Sequence, residues 1–387
     1  MQLYDVNQDM KSIRNILSVL LMAIYAASCS SVGNKKTDAD SVSSDSVITA
    51  AKGITIEHYD GYTIVKVKNP WKDGALLQTY ALVPRDAEVP TSLPDGVTVV
   101  RTPLKNAVVY SSVHGSVIKE LGELASIKGV CDAEYFNMPE IQSGLKAGKV
   151  ANVGNSLSPT VEKLVEMSPD AIILSPFQNA GYGVLTNLKV PIIECADYME
   201  NTPLGRAEWI KFFGELYGKT DVADSIYDAT ADSYNKLKAK VAKAVKRPKV
   251  LTEMLYSGVW YVPGGDSYMA RILEDAGTVY PWSSDKSSGS LSLDYAQVLE
   301  KAGDADFWFI KPMMPMSYSS LQKENRLYAQ IKAFKTKHTY QCVTVNSTFF
   351  QDFPFHPQVL LMDLVAILHP EFAEGYETKY YVPVVDE

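Results

Sequence analysis

The chain has 387 residues, of which 46% are hydrophobic and 21% charged, with a formal net charge of −8. It is long enough for two domains with real cores. An acidic chain with no basic cluster or arginine-rich strip excludes nucleic acid as a partner, and four widely spaced cysteines without a C-x-x-C pair exclude a disulfide framework and a cysteine metal site.

From Met10 the sequence reads MKSIRNILSVLLMAIYAASCSS, while residues 1–9 fit no signal architecture. Lys11 and Arg14 supply a positive start. Residues 16–27 form an apolar run too short for a comfortable membrane span. Ala26, Ala27 and Ser28 are small and directly precede Cys29. The pattern resembles the bacterial lipoprotein signal, in which the cysteine is acylated and becomes the first residue; Ala26 stands where leucine is usual. The expectation is a signal peptide over 1–29 with Cys29 lipidated, then a disordered tether over 30–50, rich in Ser, Asp and Lys. Beyond it no stretch reads as a transmembrane candidate. Cys131, Cys195 and Cys342 read as buried free thiols, with one disulfide left open.

Residues 51–97 read as an N-terminal β-hairpin extension. ITIEHY and YTIVKVK flank Asp60-Gly61, a turn signal of type I′, which needs positive φ at both central residues. QTYALV reads as a third strand. From Thr98 the pattern becomes strand–helix alternation, with short apolar runs such as AIILS and VPIIEC separated by helical stretches such as VEKLVEMS. That alternation argues a parallel α/β lobe over 98–220. One helix is expected over 204–217 and a second, capped near Thr220 or Asp221, over 221–246, stopped by Pro248 and roughly 35–40 Å long. Alternation then resumes over 247–387, with KVLTEML, VWYV, DFWFI and CVTVN as strands.

Three segments carry a wider resemblance. They are SPTVEKLVEMSPDAIILSP in the first lobe, GVWYVPGGDSYMARILEDAGTVYPW in the second, and the terminal HPQVLLMDLVAILHPEF. Their order and the lobe–helix–lobe layout resemble the helical-backbone class of periplasmic solute-binding proteins, which deliver ferric siderophores, haem or cobalamin to ABC importers. The resemblance covers about 98–370. It implies an α/β fold with two Rossmann-like lobes joined by one long helix, here with a small N-terminal β extension. It implies a monomeric, non-enzymatic, lipid-anchored carrier without a cofactor of its own, in the periplasm, with surface exposure left open. Its partners would be a large metal complex and an ABC permease. An exported two-lobed enzyme, or an interaction or sensing lipoprotein with the same fold, are the competing readings; neither a G-x-S-x-G elbow nor a P-loop is present.

Ligands bind where parallel strands end, so the cleft candidates are residues just after strands. In the first lobe these are Tyr110, Ser112, His114, Tyr135, Phe136, Phe177, Gln178 and Tyr198. In the second they are Trp260, Tyr261, Trp282, Lys311, Met313 and Phe350. Aromatic rings suit a large planar or greasy ligand. Trp260 and Tyr261, with Tyr110 and Tyr135 opposite, are expected to sandwich it. His114 is a candidate axial ligand to a haem or corrin metal; no convergent His or carboxylate set for a bare metal ion is legible. Lys311 is the one basic candidate, which disfavours a highly anionic siderophore. The resemblance also implies one acidic docking residue per lobe. Glu162 matches in the first. In the second, Ala296 occupies the expected place and Asp294 lies two residues earlier.

Overall fold

A computed structural model describes residues 48–179 and 181–386. Cys29 and the segment assigned to the tether up to residue 47 lie outside them. No described helix is long and apolar enough to cross a membrane.

The first lobe is built on a five-stranded parallel sheet in the order Ile192–Glu194, Ala171–Leu174, Ala107–Val109, Ile127–Val130, Ala151–Asn152. Its central strands are buried at every residue, as a parallel sheet covered on both faces requires. The second lobe has a four-stranded sheet, Val250–Thr252, Phe307–Ile310, Thr339–Gln341 and Val382–Pro383, parallel except for the last pair. Beside it lies an antiparallel sheet of Leu255–Tyr256, Val259–Pro263 and Ser290–Leu293. The VWYV strand therefore belongs to an antiparallel ribbon. CVTVN is not a strand: pairing ends at Gln341, and 344–346 is a short 3₁₀ turn.

The extension is a four-stranded sheet of Ile54–Tyr59, Tyr62–Lys68, Leu76–Pro84 and Thr98–Thr102. Thr98–Thr102, which the sequence assigns to the first lobe, pairs parallel with Leu76–Pro84 instead. The hairpin pairs Tyr59 with Tyr62 around Asp60-Gly61. Only Gly61 has positive φ, at 83°, so the turn is not type I′. The extension shares the first lobe's core: Ile54, Val65, Tyr80 and Val100 cluster with Trp209, Phe212 and Phe213. Tyr80 Oη donates to the Ile192 carbonyl at 3.0 Å and accepts from Glu194 N at 2.8 Å, capping the edge strand.

The helix expected over 204–217 is two, Pro203–Glu208 and Ile210–Tyr217, joined at Trp209. The next, Thr220–Val241, links the lobes. Ala223 and Tyr227 near its start lie in the first lobe's core; Tyr234, Leu237 and Val241 lie in the second's. A single rod is thus shared by two hydrophobic clusters.

An irregular, bent strap at residues 48–53 packs on the first lobe. Glu208, fully buried, accepts from Thr49 N, Ala50 N and Ala51 N at 2.6–2.9 Å. Glu200 accepts from Lys52 N at 3.0 Å and Gly53 N at 2.7 Å, and from Trp209 Nε1 at 3.0 Å. These carboxylates satisfy donors that would otherwise be stranded beside apolar surface. In Glu208→Gln an amide replaces the carboxylate and can no longer accept all three N–H groups. The expected loss is about 3 kcal/mol of stability, read by denaturant titration, with faster amide exchange at 49–51 than at 54–68. Unchanged exchange at 49–51 would mean that other contacts hold the strap.

Candidate ligand cleft

The strands Ala107–Val109 and Ile127–Val130 of the first lobe, and Phe307–Ile310 of the second, end at a common opening. It is a cavity of about 640 Å³. Tyr110, Ser111 and Ser112 line it from the first of these strand ends, and Asp132, Glu134, Tyr135 and Asn137 from the second. The second lobe supplies Met313, Thr344, Val345, Ser347, Phe350 and Gln351. Ser111 caps the helix Ser112–Glu120, its side chain accepting from Val113 N. Asp132 sits in the left-handed region at φ 46°, and its carboxylate accepts from Asn155 Nδ2 at 2.8 Å.

The rim is apolar and open: Tyr135 is 67% exposed, Met313 72% and Phe350 51%. Large apolar side chains left exposed around one opening are what a candidate binding site would present. The lining contains two carboxylates, Asp132 and Glu134, and no lysine or arginine. Tyr110 Oη is buried beside the Cys131 thiol. Burial holds its phenol well above the ordinary range, with the neighbouring Cys131 thiol adding to this. A side cavity of about 250 Å³ shares Tyr110 and Ser111 and is walled by Leu157, Phe177 and Tyr182.

Tyr110, Ser112, Tyr135, Met313 and Phe350 are thus brought together, and Phe177 adjoins them. Others are placed elsewhere. Trp260 is fully buried: Nε1 donates to the Thr252 carbonyl at 2.9 Å, and the ring packs on Trp308 and Tyr328, each 5.9 Å away. It is a core residue, not one jaw of a sandwich. Tyr261, its neighbour in the strand, faces the opposite way by strand alternation. It is 44% exposed, opposite Ser292, and outside the cleft lining. Phe136 and Trp282 are core as well. Tyr198 donates to the Pro176 carbonyl, and Gln178 is exposed outside both cavities.

Lys311 does not offer its charge to the cleft. Its ammonium is paired with Glu253 and lies 5.8 Å from the Phe349 ring centroid. Burial pulls its pKa down, but the Glu253 carboxylate more than offsets that, so the ammonium is held charged.

His114 is also committed elsewhere. It is 1% exposed, with Nε2 donating to Asp197 Oδ1 at 3.0 Å. Asp197 Oδ2 accepts from Arg206 Nε at 3.1 Å. The Arg206 guanidinium lies 4.9 Å from the ring of Tyr268 and 5.9 Å from that of Phe353, both second-lobe residues. The His114 ring meets Phe213, which in turn meets Phe355 edge-on. This cluster joins the lobes and bars His114 from axial ligation.

Residues missed at the sequence level include Asp132, Asn137, Thr344, Val345, Ser347 and Gln351. Asp132 follows a strand end and was open to the same reasoning as its neighbours. The second-lobe set was hidden because residues 342–346 read as strand. Glu162 is exposed in the first turn of the helix Val161–Met167. Asp294 is exposed but caps the helix Tyr295–Ala302, its Oδ1 accepting from Gln297 N at 2.9 Å. Cys131, Cys195 and Cys342 are free and buried. Among the described residues no group of three or more His, Cys, Asp or Glu could hold a metal ion.

Comparison with known proteins places this geometry. A family model described as periplasmic binding protein matches residues 107–344. An uncharacterized lipoprotein of Methanocaldococcus jannaschii is 27% identical over 359 residues, covering 87% of this chain and 85% of that one. A second uncharacterized lipoprotein from the same organism is 23% identical over 396 residues, covering 95% and 98%. Among solved structures, a periplasmic haem-binding protein from Pseudomonas aeruginosa superimposes with a TM-score of 0.56 at 17% identity, covering 73% of this chain and 99% of that one. A structure described as an ABC-type Fe3+-hydroxamate transport system, from Saccharomonospora viridis, gives 0.54 at 15% identity, covering 69% and 94%. At these identities the structural likeness is one of fold.

Two outcomes follow from the buried groups. Trp260→Ala should cost about 3–5 kcal/mol of stability and leave ligand affinity unchanged, read by paired denaturation and titration. Burial raises the Asp197 carboxyl, but Arg206 and His114 outweigh it and hold its pKa below 3.8. A depressed carboxyl contributes stability above its ordinary pKa and loses it as pH falls through the depressed value. Asp197→Asn should therefore be about 3–5 kcal/mol less stable at neutral pH, with the gap to wild type closing as the pH falls below 3.8. A gap independent of pH would assign the loss to shape rather than charge.

Proposed function

We propose, from the premise that the chain belongs to the periplasmic binding protein family, that it captures a large metal complex between its lobes and presents it to an ABC importer. The observation that carries this reading is the cavity of about 640 Å³ to which both lobes contribute, within the range that encloses small-molecule ligands. Tyr135, Met313 and Phe350 around it are large, exposed and apolar. They supply burial and stacking to a ligand with broad hydrophobic faces.

The candidate ligands are a ferric siderophore, haem or a corrinoid such as cobalamin. The names of the haem-binding and Fe3+-hydroxamate relatives support that class. Charge narrows it. A lining with Asp132 and Glu134 and no cation repels an anionic catecholate complex. It suits a neutral hydroxamate complex or a corrinoid. With His114 held by Asp197, this histidine does not serve as an axial ligand.

The Ala26-Ala27-Ser28-Cys29 sequence and the relatives named as lipoproteins support a lipid anchor at Cys29 and a periplasm-facing location. Glu162 is the proposed first-lobe contact with the permease. Asp294 is the proposed second, with Oδ1 committed to its helix cap.

The test is titration of the purified protein with cobalamin, haem and a neutral ferric hydroxamate, beside mass spectrometry of any ligand retained from the native source. Tyr135→Ala and Phe350→Ala should each weaken binding of the compound that binds by about 1–3 kcal/mol, roughly 5- to 150-fold. Being exposed, both variants should melt near the wild type. Failure of all three compounds to bind the wild type would overturn the ligand class.

A further inference from the structure

A third cavity, of about 360 Å³, shares no lining residue with the ligand cleft. It opens where the strap, the β extension and both lobes meet. Three lysines line it from three separate stretches: Lys52 on the strap, Lys68 at the end of its hairpin strand, and Lys286 in a second-lobe loop. None of the three ammonium groups has an ion pair or hydrogen-bond partner among the described residues.

Two carboxylates, Glu200 and Asp266, share the lining with the three lysines. Glu200 is buried and already accepts from Lys52 N, Gly53 N and Trp209 Nε1. Asp266 is paired with Arg271 at 2.7 Å. With Asp266 paired to Arg271, the wall carries three ammonium groups against the one carboxylate of Glu200, a local excess of positive charge in a chain of net charge −8. Ammonium groups are donors only, and several around one hollow favour a compact oxyanion. Asn201 and Ser288 add neutral polar groups to the same wall.

We propose that this pocket binds a phosphate group. Lys52 and Gly53 set the strap on the wall of this pocket. That chemistry has two sources, an anionic lipid headgroup at a membrane surface and a free phosphate. The inference is independent of what fills the ligand cleft.

The experiment uses the full chain and the variants Lys52→Gln, Lys68→Gln and Lys286→Gln, singly and together. All three lysines are exposed, so each variant should melt with the wild type in phosphate-free buffer. Two probes are used: inorganic phosphate, followed by calorimetry and thermal shift, and sedimenting vesicles of phosphatidylglycerol or of phosphatidylcholine. The vesicle readout is the difference between the two lipids, since insertion through an apolar N-terminal segment is common to both. Binding should weaken with added salt and fall about tenfold or more in the triple variant, which is about 1.4 kcal/mol. A response to phosphate without a lipid difference assigns a soluble phosphate. A phosphatidylglycerol preference that the triple variant loses assigns the headgroup. No response to either probe, or equal binding by the triple variant, overturns the site.

Discussion

Asp197 keeps its charge inside the protein because Arg206 follows it there. A carboxylate at 1% exposure cannot stay ionised without a close cation and hydrogen-bond donors. His114 and Arg206 supply both. Once the guanidinium edge is fixed on Asp197, its flat face is left for the rings of Tyr268 and Phe353, at 4.9 and 5.9 Å. An ion pair internal to the first lobe thereby becomes the first lobe's hold on the second. Phe355, carried by the second lobe, completes the seam by entering the first lobe's core.

The linking helix acts with this seam. Its two halves are buried in different clusters, so bending it would open apolar surface in one core or the other. Large domain closure elsewhere depends on a few loop residues that absorb backbone rotation. Here Thr220–Val241 offers a continuous ladder of helical hydrogen bonds. A helix held at both ends in this way resists bending between the lobes.

The alternation of short buried strands with helices was legible because AVV and AIIL are too apolar and too short for anything but the middle of a covered sheet. The linking helix was legible through its start near Thr220 and the proline at 248, although it ends at Val241, short of the expected 246. The direction of individual side chains was not. Trp260 and Tyr261 are adjacent in a strand, so one must face away from the other, and local pattern does not say which face meets the core. His114 was read as a free ligand because its partner Asp197 is 83 positions away. Lys311 was read as a free cation because Glu253 is 58 positions away. Thr98–Thr102 was given to the wrong sheet for the same reason: an apolar strand advertises that it will pair, not with whom. The cleft residues recovered are those next to correctly placed strands; those lost follow the mistaken strand over 342–346.

The strap has a mechanical meaning. Thr49 to Gly53 present successive backbone N–H groups to two carboxylates, Glu208 and Glu200, carried on or beside the helix Pro203–Glu208. A pull arriving at Ile48 is taken up there by several short bonds loaded together. Neither carboxylate lines the cleft of about 640 Å³. A load on residues 49–53 would therefore fall first on the segment 200–208, which also carries Arg206, rather than on the strand ends that line the cleft.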